Sequence, residues 1–241
     1  MNKSIPIGIF QFKQFHVSHH KSTLKVGTDA VLLGTWASHP HPQKILDIGT
    51  GNGVIALLMA QRFQQANIRA VDIDVDSVEE ATSNFIESPW SSRLRAIHQD
   101  VQNFAKLATE RFDMIVSNPP FFENDLHAQN EKLNKAKHSN TLNYKSLFHA
   151  ADQLLKENGI FALICPYDKK DKVIEIASFN RLFCKRQLCI YPKKTKQANR
   201  IIIEFCHSES VCENIELVIY TEDNTYTSQY KKLGQDYYIN F

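Results

Sequence analysis

The sharpest chemical signal in this chain is Ser117-Asn118-Pro119-Pro120-Phe121-Phe122. The apolar run Phe112-Asp113-Met114-Ile115-Val116 before it reads as a strand, which two prolines cannot continue. A rigid corner is therefore expected where that strand ends. The corner fixes two acceptors, the Asn118 side-chain oxygen and the Pro119 carbonyl, with Pro120 stiffening the turn and Phe121 beside it. Two acceptors and a ring suit a flat base that carries an amino group. A second cluster, Asp47-Ile48-Gly49-Thr50-Gly51-Asn52-Gly53, has glycine at every second position between an apolar run and a stretch of helical length. That spacing reads as buried parallel strand, tight turn and helix, with a backbone free to lie against a ligand.

Acids close two further strands. In Ala70-Val71-Asp72-Ile73-Asp74 a carboxylate stands where a ribose hydroxyl pair would lie. Asp72 is the first choice for that contact and Asp74 the alternative, because the residue between them points the other way. Asp100, after Ala96-Ile97-His98-Gln99, is placed to accept from an adenine amino group. Taken singly, each acid is equally a helix cap or a loop end. Three at successive strand ends, on one edge of one sheet, outline a nucleoside site.

Three nucleotide-binding readings compete for the glycine turn. A phosphate-cradling loop needs Lys-Ser or Lys-Thr after the last glycine, and Val54-Ile55 stands there. A dinucleotide fingerprint asks for glycine or alanine at 54 and is weakened by Val54. The third pattern, Asp47-x-Gly49-x-Gly51-x-Gly53, resembles motif I of class I methyltransferases that use S-adenosyl-L-methionine. Asn-Pro-Pro with an aromatic resembles motif IV of methyltransferases acting on planar amino or amide nitrogens. The residue types fit that chemistry. An adenine amino group is a poor nucleophile because its lone pair is delocalised into the ring. Acceptors on both its hydrogens turn the lone pair towards the sulfonium methyl, and Phe121 stacks on the base. Asn118, between base and cofactor, need not be a strong base, since the methylated cation sheds its proton readily. Asp47 or Asp29 is a candidate for the cofactor's ammonium, and turn amides for its carboxylate. Placement is the main device: holding two reactants in line supplies roughly 7–11 kcal/mol, against a few for flipping a nucleotide.

These residues need a frame. Strands are expected at 44–48, 68–73, 94–98, 112–117, 159–165, 183–190, 200–207 and 215–220, and helices at 53–65, 76–87, 102–109, 144–157 and 168–179. Alternation of strand and helix implies right-handed crossovers and an α/β fold. Its sheet is mostly parallel and seven-stranded, with an antiparallel edge from the late strands and helices on both faces. Phe10 to Val17 reads as one or two short strands. Thr28 or Asp29 is a good N-cap for a short helix running to Ala37. Residues 1–43 are expected to cover the cofactor site and 44–241 to form the catalytic core, all in a single domain. The aromatic tail, with Tyr226, Tyr230, Tyr237, Tyr238 and Phe241, is expected to pack back on it. Glu123 to Asn143 is a long polar stretch whose place after Asn-Pro-Pro-Phe suggests a functional loop.

Among 241 residues the net charge is only +2, yet the basic residues clump. Lys132, Lys135 and Lys137 form one group, Lys169, Lys170 and Lys172 a second, and Lys193, Lys194, Lys196 and Arg200 a third. Singly these are solvated faces; together they suit an anionic polymer. Five cysteines without a C-x-x-C pair, and no apolar leader, read as free thiols in a reduced, cytoplasmic protein. His16, His19 and His20 lack a partner ligand at metal spacing and read as a polar rim, so no metal is expected. No apolar run reaches the roughly 20 residues that span a bilayer.

The remaining segments narrow the resemblance. Phe12 to Val17, Lys25-Val26-Gly27-Thr28-Asp29-Ala30-Val31-Leu32-Leu33-Gly34, Ile45 to Gly53, Asn84-Phe85 to Ser88-Pro89-Trp90, Ser117 to Phe122, and Tyr226 to Leu233 with Asp236-Tyr237-Tyr238 are similar to the bacterial tRNA1(Val) adenine-N6 methyltransferase family. The resemblance spans nearly the whole chain, and its ends are more specific than its centre. It implies a Rossmann-like class I methyltransferase fold and methylation of the adenosine 3′ of the anticodon, with S-adenosyl-L-methionine as donor. It implies Asn118 to Phe121 at the target base and Lys25, Thr28 and Asp29 beside the cofactor. The partner is then a tRNA anticodon loop, met by a monomer or weak dimer. Alternatives sharing the central motifs are a protein-glutamine N5 or rRNA guanine-N2 methyltransferase. A non-catalytic RNA-binding module would bind no cofactor.

Overall fold

The computed structural model describes residues 8–21, 25–120 and 143–240. In chain order, a hairpin of β1 (Ile9–Gln11) and β2 (His16–Ser18) precedes α1 (Thr28–Trp36) and β3 (Lys44–Ile48). Then follow α2 (Val54–Arg62), β4 (Asn67–Asp72), α3 (Val75–Glu87), β5 (Leu94–His98), α4 (Val101–Leu107) and β6 (Phe112–Ser117). After residue 143 come α5 (Tyr144–Leu154), β7 (Leu155–Pro166), α6 (Lys170–Phe179), β8 (Phe183–Lys193), β9 (Arg200–Cys206), β10 (Glu213–Tyr220) and α7 (Ser228–Gly234).

The main sheet has the order β10-β8-β9-β7-β6-β3-β4-β5. Side chains alternate across each strand, so one strand feeds two cores. Ile45, Ile68, Ala70, Met114 and Val116 pack with α1, α2 and α3 on one face. Leu46, Ile48, Val71 and Ile115 pack with α4, α5 and α6 on the other. Burying each such side chain stabilises the fold by about 1.5–3 kcal/mol, which is why the central strands read as continuous apolar runs. Among the described residues, no helix is long and apolar enough to cross a membrane.

The fold departs from expectation in three places. The sheet has eight strands, not seven, and its single antiparallel strand, β9, is interior rather than at the edge. β9 returns the chain to the far end of the sheet and is enclosed by β7 and β8, and the next strand adds to the adjacent free edge of β8. It does so in parallel, pairing Ile215 with Leu188. That pairing also overturns the reading of five free thiols, since Cys184 and Cys212 form a disulfide. They lie 28 residues apart and are neighbours only through the β8–β10 register. Thirdly, α1 is capped by Gly27 rather than by Thr28 or Asp29, which lie inside its first turn.

The hairpin of β1 and β2 and the tail from Tyr226 to Tyr238 pack together, as expected of the aromatic tail, while Phe241 lies outside the described residues. Tyr230 and Tyr237 are buried, Phe12 forms a bridge with Tyr238, and the Lys13 N–H donates to the Tyr237 carbonyl at 2.8 Å. Phe12 stacks on Phe15, whose ring meets Trp90 edge-on. One side chain ties this assembly to the core. The buried Asn84 amide accepts from the Ser18 N–H at 2.9 Å and donates to the carbonyls of Ser18 at 3.0 Å and Asn52 at 2.8 Å. Removing it strands three backbone groups, and an unsatisfied buried group costs about 1–3 kcal/mol. Asn84→Ala should therefore lower the urea-unfolding free energy by about 2–4 kcal/mol, a larger loss than alanine at the exposed Thr82 on the same helix produces.

Candidate active site

The two chemical corners leave the sheet side by side. β3 and β6 are adjacent and parallel with Ile48 opposite Ser117, and the buried Ser117 Oγ donates to the Ile48 carbonyl at 2.9 Å. The next residues, Gly49 and Asn118, therefore start one strand spacing apart, about 4.8 Å. Asn118 is half-buried, Pro119 buried and Pro120 exposed. Phe121 and the 123–143 stretch lie outside the described residues, save residue 143 itself.

The glycine turn is held by the neighbouring strand. The N–H groups of Gly49 and Thr50 donate to the Val71 carbonyl at 2.8 and 3.2 Å, and that of Gly53 to the Thr50 carbonyl at 2.9 Å. Gly49, Gly51 and Gly53 all have left-handed φ, at 72°, 56° and 82°. Their surroundings differ. A Cβ on Gly53 would lie 2.6 Å from the Phe85 ring, so this glycine lets α3 pack against the turn. A Cβ on Gly49 or Gly51 would meet nothing within 4 Å. Those two bound an open cradle.

Asp72 ends β4 under this turn. Its Oδ2 accepts the Gly51 N–H at 2.8 Å and its Oδ1 the Asp74 N–H at 3.0 Å. Burial pushes its pKa up, the two amides pull it down, and the Asp74 charge raises it again. Asp74 itself caps α3, accepting from the Ser77 N–H at 3.0 Å and hydroxyl at 2.7 Å. Asp100 caps α4 through Oδ1, which takes the N–H groups of Gln102 and Asn103 and leaves Oδ2 open. Asp74, just beyond β4, and Asp100, just beyond β5, thus hold helices at the rim.

Asp47 is fully buried. Its Oδ2 accepts from the Thr50 hydroxyl at 2.7 Å, whereas Oδ1 makes no hydrogen bond, although the Ala56 amide lies near enough to draw the pKa down. Burial pushes this carboxyl up to about 7, with the Asp72 charge adding to the rise and the Thr50 hydroxyl opposing it. Asp29, its rival as an ammonium ligand, is already paired with Arg200, whose Nε lies 2.8 Å from Oδ2. Thr28 and Lys25 are exposed at the start of α1. His16 pairs with Glu87 at 2.7 Å, and the N–H groups of His20 and Lys21 both donate to the buried Glu80. Among the described residues, no group of three or more His, Cys, Asp or Glu could hold a metal.

Within the quoted motifs, sequence reasoning gave Ser117, Thr50 and Asn84 no role of their own. A hydroxyl on the last residue of an apolar strand was a readable sign for Ser117, but Asn84 carries no local signal, because its partners are 32 and 66 residues away.

Residues 18–188 match the methyltransferase small domain. The chain is 38% identical over 232 residues to the tRNA1(Val) (adenine(37)-N6)-methyltransferase of Flavobacterium psychrophilum, covering 96% of this chain and 99% of that one. It is 39% identical to that of Bacteroides thetaiotaomicron, with 96% and 97% covered. Among solved structures, a predicted O-methyltransferase from Agrobacterium tumefaciens shares the fold with a TM-score of 0.68 at 19% identity, covering 87% of this chain and 96% of that one. The chain belongs to the methyltransferase small domain family, within the group of tRNA1(Val) (adenine(37)-N6)-methyltransferases.

Proposed function

We propose that this protein transfers a methyl group from S-adenosyl-L-methionine to the N6 amino group of adenosine 37 of tRNA1(Val). The observation that carries the reading is the pairing of Ile48 with Ser117, which sets the glycine cradle beside the Asn118 acceptors. The glutamine and guanine alternatives share both central motifs, and the similarity to tRNA methyltransferases along the whole chain, ends included, favours tRNA. A cytoplasmic monomer or weak dimer, acting as one methyltransferase unit, goes with this role.

The residues present fit the cofactor. The cradle at Gly49 and Gly51 leaves room for it, and Asp72 would hold its ribose hydroxyls. Asp47, with one oxygen unsatisfied, would hold its ammonium, and the open Asp100 Oδ2 would accept from its adenine. Lys25, Thr28 and Asp29 flank the same rim, Asp29 chiefly neutralising Arg200. S-adenosyl-L-methionine supplies an electrophilic methyl on a positively charged sulfur. The protein's part is placement. Asn118 and Pro119 accept from the two N6 hydrogens, turning the lone pair out of the adenine plane and stabilising positive charge as it grows on nitrogen. The surplus proton then leaves to water.

Asn118→Ala should lower the rate of methyl incorporation into tRNA at least 100-fold, since one positioned hydrogen-bonding group is worth about 2.7–4 kcal/mol. Cofactor affinity by calorimetry should be nearly unchanged; wild-type activity in this variant would refute the role. Asp47 gives a test independent of activity. A carboxyl raised from 3.8 to about 7 in the folded state binds a proton that the unfolded chain has lost. The ligand-free protein should thus lose stability as pH rises from about 4 to 7, by about 1.4 kcal/mol per pH unit at most. A bound ammonium keeps Asp47 ionised and removes that slope. Melting curves with and without cofactor should diverge over this range in the wild type. In Asp47→Asn their separation should stay constant.

A further inference from the structure

Two of the three basic clumps converge on one edge of the active-site rim. Lys169 and Lys170 follow the end of β7, with Lys172 early in α6, while Lys193 ends β8 and Arg200 begins β9. Since β7 and β8 run in the same direction as β6 and β9 runs opposite, all these ends lie on the face where Asn118 leaves the sheet. Lys194 and Lys196, in the turn between β8 and β9, are exposed and form no ion pair among the described residues. The acids nearby are Asp29, committed to Arg200, Asp168, Asp171, Glu222 and Asp223.

This edge is pre-organised. Lys193 Nζ donates to the Glu222 carbonyl at 3.1 Å and the Thr195 hydroxyl to the Glu222 carboxylate at 3.2 Å, tying the 193–199 turn to the turn after β10. The second turn carries a stacked pair, Tyr220 and Tyr226, with centroids 5.1 Å apart and exposures of 36% and 39%. Four strand spacings separate β6 from β10, so the surface extends about 19 Å from the Asn118 corner. Cations with exposed aromatic faces match a ligand that offers phosphates and bases together, whereas an acidic protein would call on the charge alone.

We propose that this edge, formed by the turns at 166–172, 193–200 and 220–226, is the docking surface for the phosphate backbone of the tRNA around the target adenosine. The inference rests on the tRNA reading above and names the residues that receive the RNA. Binding of purified tRNA1(Val) transcript to the full chain, followed by fluorescence anisotropy across a salt series, tests it. Replacing Lys193, Lys194 and Lys196 together with alanine should weaken binding about tenfold or more at 0.1 M salt. The slope of log affinity against log salt should flatten by roughly 0.7–0.9 for each phosphate no longer neutralised. Cofactor affinity by calorimetry should stay near wild type, which shows that the fold is intact. A Lys194/Lys196 double alanine variant, which removes no ion pair among the described residues, should show a proportionate loss. Arg95→Ala, at the opposite end of the sheet, should bind as wild type does. Unchanged affinity and slope in the triple variant, or an equal loss with Arg95→Ala, overturns the proposal. The two readings fail separately. Wild-type protein that binds the transcript through these lysines yet leaves adenosine 37 unmethylated defeats the function and spares the surface.

Discussion

The site depends on how two neighbouring strands end. β3 and β6 share a parallel register that puts Ile48 beside Ser117, and the Ser117 hydroxyl closes the pair by donating to the Ile48 carbonyl. Immediately beyond, each chain does what a strand cannot: one bends through left-handed glycines and the other stops at two prolines. Neither bend could stray far. A register slip of one residue would turn every core side chain to the opposite face, moving Leu46 and Ile48 into the layer under α1 and α2 and Ile45 into the layer under α4 and α5. The apolar pattern that makes the sheet thus also fixes the separation of cradle and acceptors, without contacts devoted to that end.

How much of this was legible follows from the distance over which each signal acts. The glycine turn, the proline corner and the strand-end acids are local, and each stands on the same rim of the same sheet, as its place in the chain implies. What sequence could not supply was pairing between distant segments. Cys184 and Cys212 are joined by the direction in which β10 enters the sheet, which nothing between them encodes locally. Late strands with little helix between them suggest a meander with the reversed strand at the edge, but β8 leaves room for one more neighbour. Asn84 is similar: its worth lies in three backbone groups brought together by the folded N-terminal hairpin and the turn. Double duty also hid in the sequence. Asp74 and Asp100 are at once helix caps and rim acids, so the bland and the functional readings of each are compatible.

Buried charge explains why the cradle is more than a gap. Asp47 sits with a carboxylate oxygen unsatisfied beside a glycine turn that leaves open space. In a protein interior such an oxygen is costly unless it meets a proton or a cation. Thr50 satisfies its partner oxygen, and Asp72, close enough to raise the pKa further, offers only more negative charge. The arrangement is therefore unfavourable by itself, and in the proposed function the cofactor's ammonium would relieve it. That is a binding preference built from desolvation rather than from shape.

The rim as a whole divides by charge about Asn118. On one side the ends of β3, β4 and β5 carry Asp47, Asp72 and Asp100, together with the open backbone of the glycine turn. On the other, the ends of β7, β8 and β9 carry seven basic groups, Lys169, Lys170, Lys172, Lys193, Lys194, Lys196 and Arg200, against the five acids Asp29, Asp168, Asp171, Glu222 and Asp223, with Tyr220 ending β10 and Tyr226 after it. In the proposed function, a phosphate backbone drawn towards the second half would be repelled from the first, so the acids proposed for a neutral ribose and a cationic amine would also keep the polymer out of the cofactor's place. On that reading the base alone would cross the boundary, at the point where the charge changes sign. There the protein presents neutral acceptors, the amide of Asn118 and the carbonyl of Pro119. A carboxylate at that point would repel the incoming phosphates and a lysine would repel the sulfonium, whereas an amide oxygen accepts hydrogens from a nucleobase and leaves both fields intact.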